Sequence, residues 1–164
     1  MEDKKLDIGT QHRPDGEENL LEIHDLVVEY HTDDEVIYAL NEINLNVRKG
    51  ETIGLVGETG AGKTTIAKSV LRILQSPPAK IVSGSIIFQG VDLMTVSEKE
   101  MRDVRGNKIA MIFQDPMTAL NPIEKVGYQI AEAIELHNDI SKADAVKRAC
   151  DILEMVGIQA ERYS

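Results

Sequence analysis

Short apolar segments dominate the first third of the chain, and the first of them alternates in part. They lie at 20–30, 36–40 and 43–47, and the last alternates strictly between three aliphatic residues and two asparagines. A period of two is typical of strands that bury one face. The polar residues 31–35 separate the first two segments as a turn. This region therefore predicts an antiparallel β layer.

A second kind of apolar pattern begins at residue 51. The segments 51–57 and 109–113 are nearly continuously apolar, as expected for strands that are buried on both faces of a parallel sheet. Apolar residues at helical spacing predict helices over 64–75, 123–137 and 142–156. Because such strands alternate with helices, the predicted fold class is α/β.

Local signals mark the ends of several helices. Ser97 and Glu100 have the spacing of a capping box, which predicts a short helix to about residue 104. Gly157 is expected to end the last helix, and Pro77 and Pro78 are expected to end the first. The last helix is predicted to bury one face, formed by Ala145, Ala149, Ile152, Leu153 and Val156.

One motif with specific chemistry lies between the segment 51–57 and the helix 64–75. Residues 57–64, GETGAGKT, match the pattern GxxxxGK[ST] in full. Glycines let successive backbone N–H groups turn toward phosphate oxygens, and the following helix adds its positive end. The alternative is a glycine-rich turn that binds nothing. A strand before the loop and a helix after it favour a nucleotide site.

Two side chains of this loop have separate predicted roles. Lys63 would carry the fixed positive charge for the β- and γ-phosphates, and Thr64 would offer its hydroxyl to Mg²⁺. The predicted ligands are therefore a nucleotide and Mg²⁺. The candidate nucleotide-binding residues of the loop are Gly57, Glu58, Thr59, Gly60, Ala61, Gly62, Lys63, Thr64 and Thr65.

Composition narrows the function classes. A net charge of -10, from 28 acidic and 18 basic residues, argues against a general DNA or RNA coat. The single cysteine, Cys150, excludes a disulfide framework within the chain. No stretch approaches the roughly 18 apolar residues of a membrane span. The polar residues 1–19 are predicted to form a disordered or loosely ordered tail, and 20–164 a nucleotide-binding domain.

Two stretches carry a family resemblance. Residues 40–65, LNEINLNVRKGETIGLVGETGAGKTT, and 109–122, IAMIFQDPMTALNP, resemble the N-terminal part of an ABC-transporter ATPase. The second stretch is similar to the ATP-binding subunits of oligopeptide, dipeptide and nickel importers. The resemblance covers about 20–164. It implies a P-loop NTPase core with an N-terminal antiparallel β layer, a partial helical subdomain and a missing C-terminal half.

The resemblance adds a second candidate catalytic residue to Lys63. Gln114 matches the glutamine that, in the family, reaches the Mg²⁺ and the attacking water, and it is also a candidate metal ligand. The alternative makes Asp115 the metal-binding carboxylate at the end of an apolar strand. Pro116, rather than a second acid, follows it, which favours Gln114.

The family's adenine-stacking aromatic lies at the end of the first strand. Tyr30 is the best match for that position, and Tyr38, just past the polar turn, is the second choice. For either tyrosine, a half-buried strand residue without a ligand is the alternative.

Other parts of the family's catalytic machinery have no match in this sequence. It contains no Asp-Glu pair after an apolar strand, no Ser-Gly-Gly signature and no histidine at the switch position. We therefore expect the chain to bind Mg-ATP weakly and to hydrolyse little of it by itself.

The resemblance implies ATP binding and, in the full-length subunit, hydrolysis that energises peptide import across the cytoplasmic membrane. The implied partners are transmembrane permease subunits, a second ATP-binding subunit and, indirectly, an extracytoplasmic substrate-binding protein, with no nucleic acid. The expected location is peripheral, on the cytoplasmic face of the membrane.

Two other functions are considered. A small-molecule P-loop kinase is disfavoured because a β-rich stretch precedes the loop, and because only Arg148 and Arg162 lie beyond residue 110 to form an arginine-rich lid. A soluble ABC-type ATPase that is not tied to transport is disfavoured by the stretch 115–122.

Overall fold

A computed structural model describes residues 19–115 and 119–159. Apart from Asn19, the predicted tail therefore lies outside the described residues. The chain forms two compact units that divide between Met101 and Arg102.

The first unit is built on a four-stranded antiparallel sheet. Its strands are β1 (Asn19–His31), β2 (Val36–Arg48), β3 (Ala79–Phe88) and β4 (Val91–Asp92). They are ordered β2-β1-β3-β4, so that β1 pairs with both of its long neighbours. The predicted antiparallel β layer is confirmed, although the segments 36–40 and 43–47 form one continuous strand.

A bulge in β1 keeps one face buried although the apolar residues do not alternate regularly. Ile23, Leu26 and Val28 are all completely buried, at spacings of three and then two. Asp25, with a φ of 47°, takes up the extra residue between the first two. Its N–H donates to Asn44 Oδ1 at 3.1 Å, and Asn44 Nδ2 donates to Asp25 Oδ1 at 2.9 Å. The bulge therefore returns Leu26 to the core face.

The first helix, α1 (Lys63–Val70), is shorter than the predicted 64–75. Ile66 and Val70 are buried as expected, but the chain leaves the helix at Arg72, whose φ is 52°. The Arg72 guanidinium donates to the carbonyl oxygens of Leu93 at 3.0 Å and Val96 at 2.8 Å. The helix thus ends beside these tertiary hydrogen bonds of Arg72, before the chain reaches Pro77 and Pro78.

The two predicted parallel strands are not formed, and this part of the prediction was wrong. Within 51–57 only Val56 makes a bridge, and within 109–113 only Ile109 does so, with Arg105. Val56 is 73% exposed and Ile112 is 97% exposed. A parallel strand needs neighbours along its length and helices over its faces. No described strand supplies such a neighbour to either segment, and their apolar residues are half-buried or exposed.

The helices that follow are α2 (Glu98–Val104), α3 (Val126–His137) and α4 (Lys142–Met155). In the second unit, α3 and α4 pack through small side chains, Ala131 against Ala145 and Ala149. The predicted helix 123–137 begins three residues later than expected, while the predicted 142–156 is correct to within one residue.

The buried face of α4 was predicted partly correctly. Ala145, Ala149 and Leu153 are buried, but Ile152 is 39% exposed and Val156 is 67% exposed. The last two follow the same helical stripe toward the end of α4, where the described residues cover them only in part. The expectation that they are buried was wrong because an apolar stripe needs a partner surface along its whole length.

Both predicted cap motifs are present. Ser97 N–H donates to Glu100 Oε2 at 2.8 Å, and Glu100 N–H donates to Ser97 Oγ at 3.3 Å. The hydroxyl and the amide of Ser97 hold the pKa of the Glu100 carboxyl below its usual value. Gly157, with a φ of 81°, ends α4. Its N–H donates to Glu154 O at 2.9 Å, and Ile158 N–H donates to Leu153 O at 2.9 Å, as in a Schellman motif.

In the described part of the chain, no helix has both the length and the apolarity that a membrane crossing requires.

Candidate nucleotide-binding site

The glycine-rich loop 57–65 leads into α1 in the first unit. Residues 57–60 are exposed, whereas Ala61 and Gly62 are buried. Gly60 and Gly62 both have a φ of 86°, a conformation that glycine adopts without steric cost. The loop thus presents an exposed backbone and is fixed at its C-terminal end.

Gly62 is the N-cap of α1 and lies directly against β2. A methyl group at Gly62 would lie 2.7 Å from the carbonyl oxygen of Ala39 and 2.7 Å from Leu40 Cδ2. Neither distance is compatible with a side chain. The glycine therefore permits a close approach between the loop and the strand, in addition to its backbone conformation.

The amine of Lys63 folds back over its own loop. Its Nζ donates to the carbonyl oxygens of Gly57 at 2.6 Å and Glu58 at 2.8 Å. A turn closes beneath it, because Ala61 N–H donates to Glu58 O at 3.1 Å. The charge of Lys63 is thereby held at the loop, in an exposed position.

The start of α1 offers donors to an anion. The first hydrogen bond that enters the helix runs from Ile66 N–H to Gly62 O at 2.9 Å. The amides of Lys63, Thr64 and Thr65 precede it, and no side chain caps this helix end. Such amides carry the positive end of the helix dipole, and phosphate oxygens suit them. Together with the Lys63 ammonium, these amides are donors that could bind a polyanion.

The donor set also fits a magnesium ion that is bound mainly through phosphate. Within 19–115 and 119–159, no group of three or more His, Cys, Asp or Glu residues could hold a metal ion. Mg²⁺ in phosphate sites keeps several waters and takes few protein ligands. Thr64, exposed in the first turn of α1, can supply one hydroxyl.

The two candidate tyrosines lie on opposite faces of the sheet. Tyr30 is two residues from Val28 on β1, so both point to the same face. Val28 pairs with Leu40, which contacts the loop at Gly62. Tyr38 pairs instead with Glu29, on the other face, and is 65% exposed. Tyr30 therefore shares the face that the loop contacts.

Gln114 belongs to the second unit and lies exposed in a bend. Asp115 is also exposed, and the adjoining residues 116–118 lie outside the described residues. The metal roles considered for Gln114 and Asp115 stay predictions. Farther along the chain, Gln129 of α3 makes two hydrogen bonds to the backbone of Asn121, in the segment before α3. Asn121 N–H donates to Gln129 Oε1 at 2.9 Å, and Gln129 Nε2 donates to Asn121 O at 3.0 Å.

Comparison with known families decides the assignment. A model of the ABC transporter family matches residues 40–164. The chain belongs to the ABC transporter family. The match includes the whole phosphate loop and Gln114, while Tyr30 lies before its first residue.

Two curated relatives of this ABC transporter family member are named as transport ATP-binding proteins. It is 48% identical over 139 residues to the probable peptide ABC transporter ATP-binding protein y4tR of Sinorhizobium fredii, covering 85% of this chain and 42% of that protein. It is 47% identical over 139 residues to the oligopeptide transport ATP-binding protein OppD of Bacillus subtilis, and this match covers 85% of this chain and 39% of that protein. The chain thus spans about two fifths of the length of these curated relatives.

A solved ABC cassette has the same fold. The dimeric, post-hydrolysis ATP-binding cassette MJ0796, bound to ADP and Pi, matches with a TM-score of 0.71 at 23% identity. The match covers 85% of this chain and 58% of that one. An ABC ATPase fold, an α/β fold, is therefore confirmed as the fold class.

In each unit, one residue that contacts a predicted segment was not itself predicted from the sequence. Leu40 packs against Gly62, and Gln129 accepts a hydrogen bond from the backbone N–H of Asn121. Leu40 looks like any apolar strand residue, and Gln129 like any polar helix residue. Only tertiary contacts distinguish them.

Proposed function

We propose that the loop 57–65 binds the phosphates of Mg-ATP, and that the chain is part of the ATP-binding subunit of a peptide importer. The observation that carries the proposal is the loop itself, an exposed glycine-rich backbone with Lys63 above it and the uncapped start of α1 beneath. The names of the relatives support peptides as cargo.

Each loop residue has a defined part in this proposal. Lys63 leaves the carbonyl oxygens of Gly57 and Glu58 and moves its ammonium onto the β- and γ-phosphates. The amides from Gly60 to Thr65 donate to phosphate oxygens at the helix end. Developing charge on the γ-phosphate is stabilised by donors that are already in place.

The metal would be shared between two side chains. Thr64 supplies a hydroxyl, and Gln114 supplies an amide oxygen and orients the attacking water. The ion held by these residues would supply positive charge that offsets the charge of the phosphates.

Tyr30 is the side chain that we propose to stack on adenine. Its support is the shared face of β1 and β2, which the loop contacts at Gly62. Tyr38, on the other face, is the alternative. Stacking needs an aromatic ring on the side of the sheet that the loop contacts, and of the two tyrosines Tyr30 is the one on that side.

The proposed assembly joins two ATP-binding subunits to membrane permeases on the cytoplasmic face of the membrane. A substrate-binding protein would contribute indirectly, from the other side. The dimeric MJ0796 cassette supports pairing of two such subunits. The kinase alternative is not retained, because the family match and the transport relatives leave no observation in its favour.

The Lys63→Ala variant tests ATP binding. We expect the 164-residue chain to bind ATP with Mg²⁺ in equilibrium dialysis, and Lys63→Ala to bind it at least about 100-fold more weakly, because a charge-assisted contact to phosphate is lost. Lys68→Ala, later on the same helix, is the control and should leave the affinity unchanged. Equal affinity of all three chains would refute the proposed site.

Substitution of the tyrosines tests the adenine site. We expect Tyr30→Ala to weaken ATP binding about tenfold, since an aromatic stack on a base contributes about 1–3 kcal/mol. Tyr38→Ala should leave the affinity within about twofold, because the side chain lies on the other face. Dialysis with inorganic triphosphate separates loss of adenine stacking from damage to the phosphate site. Because this ligand has no base, it should bind both variants as it binds the wild type. Loss confined to Tyr38→Ala would reverse the assignment.

A further inference from the structure

The strand behind the phosphate loop contains a bulge at the point of contact. Glu29 pairs with Tyr38 and Val28 pairs with Leu40, so Ala39 is an extra residue on β2. Bulges bend a strand and redirect its side chains, and they are frequent beside functional sites. Leu40, 2% exposed, is thereby turned into the core face opposite Val28.

Gly62 sits on this bulge. A methyl group at Gly62 would first meet the carbonyl oxygen of Ala39 and Cδ2 of Leu40. Both atoms belong to residues of the bulge. The oxygen belongs to the backbone and varies little with sequence. The Leu40 side chain is therefore the part of this contact that a substitution can change.

We propose that Leu40 is a positioning residue for nucleotide binding, which acts through Gly62 on the phosphate loop. This inference rests on the proposed function. Gly62 is the N-cap of α1, so its position fixes where the first-turn amides and Lys63 point. Donors to a phosphate act over short distances, and a misplacement of about 1 Å can cost up to 100-fold.

Leu45 provides a matched control on the same strand. It is also a buried leucine, 7% exposed, and it pairs with Ile23 of the core. The atoms closest to a methyl group at Gly62 come from Ala39 and Leu40 rather than from Leu45. If Leu40 were only a core residue, the same truncation at both positions would affect ATP binding equally.

The test compares Leu40→Val with Leu45→Val in the 164-residue chain. Affinity for ATP with Mg²⁺ is measured by equilibrium dialysis, and stability by urea unfolding. We expect Leu40→Val to weaken ATP binding about tenfold and Leu45→Val to change it less than about twofold, at similar losses of stability. Leu40→Met, which keeps the reach of the side chain, should recover the wild-type affinity.

Two comparisons separate this inference from the proposed function. If the wild type binds ATP and Lys63→Ala does not, while Leu40→Val and Leu45→Val have equal affinities, only the positioning role is overturned. If the wild type and Lys63→Ala bind alike, the proposed function falls and the inference falls with it. Should Leu40→Val lose cooperative unfolding, Leu40→Ile against Leu45→Ile gives the same comparison with a milder change, since isoleucine lacks the second δ-methyl group.

Discussion

Gly62→Ala should both destabilise the chain and abolish ATP binding. The added methyl group would meet the carbonyl oxygen of Ala39 and Leu40 Cδ2, each at 2.7 Å, and the residue would keep a φ of 86°. Left-handed backbone costs about 1–2 kcal/mol for alanine, and overpacking adds about 1–3 kcal/mol. We expect a total loss of about 3 kcal/mol in the free energy of unfolding, measured by urea denaturation.

Gly60→Ala is the matched control for that substitution. Gly60 has the same φ of 86°, but nothing lies within 4 Å of a methyl group there. Its cost should therefore be the backbone term alone, about 1–2 kcal/mol. The difference between the two variants isolates the contact with β2. Equal losses at both positions would show that the loop does not rest on the strand.

The second large effect is expected at Gly84→Ala, in β3. Gly84 has a φ of 98°, and a methyl group there would lie 2.6 Å from the Cα of Leu26 and 2.7 Å from the carbonyl oxygens of His24 and Asp25. These are backbone atoms of the central strand, so the strand would have to move. We expect a loss of at least about 3 kcal/mol or failure of the sheet to form, followed by circular dichroism during urea unfolding.

Gly90→Ala controls for backbone strain at Gly84. Gly90, with a φ of 79°, lies in the two-residue turn between β3 and β4, and nothing surrounds its added methyl group within 4 Å. We expect this variant to lose only about 1–2 kcal/mol. A loss at Gly84→Ala no larger than that at Gly90→Ala would contradict the close approach of β3 to the β1 bulge.

Local signals in the sequence predicted local structure well. The capping box at Ser97 and Glu100 and the stop at Gly157 depend on neighbouring residues, and both are present in the structure. The strict alternation at 43–47 predicted part of β2 for the same reason. The phosphate loop is also a local motif, and its glycine at position 62 has the left-handed conformation such a loop requires.

Features that depend on distant partners were not predictable in this way. The segment 51–57 has the pattern of a buried strand, yet Val56 is exposed because no described strand pairs along it. The end of α1 depends on Arg72 reaching Leu93 and Val96. The role inferred for Leu40 arises from a bulge opposite Val28, which no periodicity reveals.

The most direct test of the account is an NMR titration of the ¹⁵N-labelled 164-residue chain with ATP and Mg²⁺. We expect the largest amide shifts to fall between residues 60 and 65, where the loop enters α1, and to disappear in Lys63→Ala. Shifts confined to α3 and α4, with unchanged amides in the loop, would contradict nucleotide binding at this site.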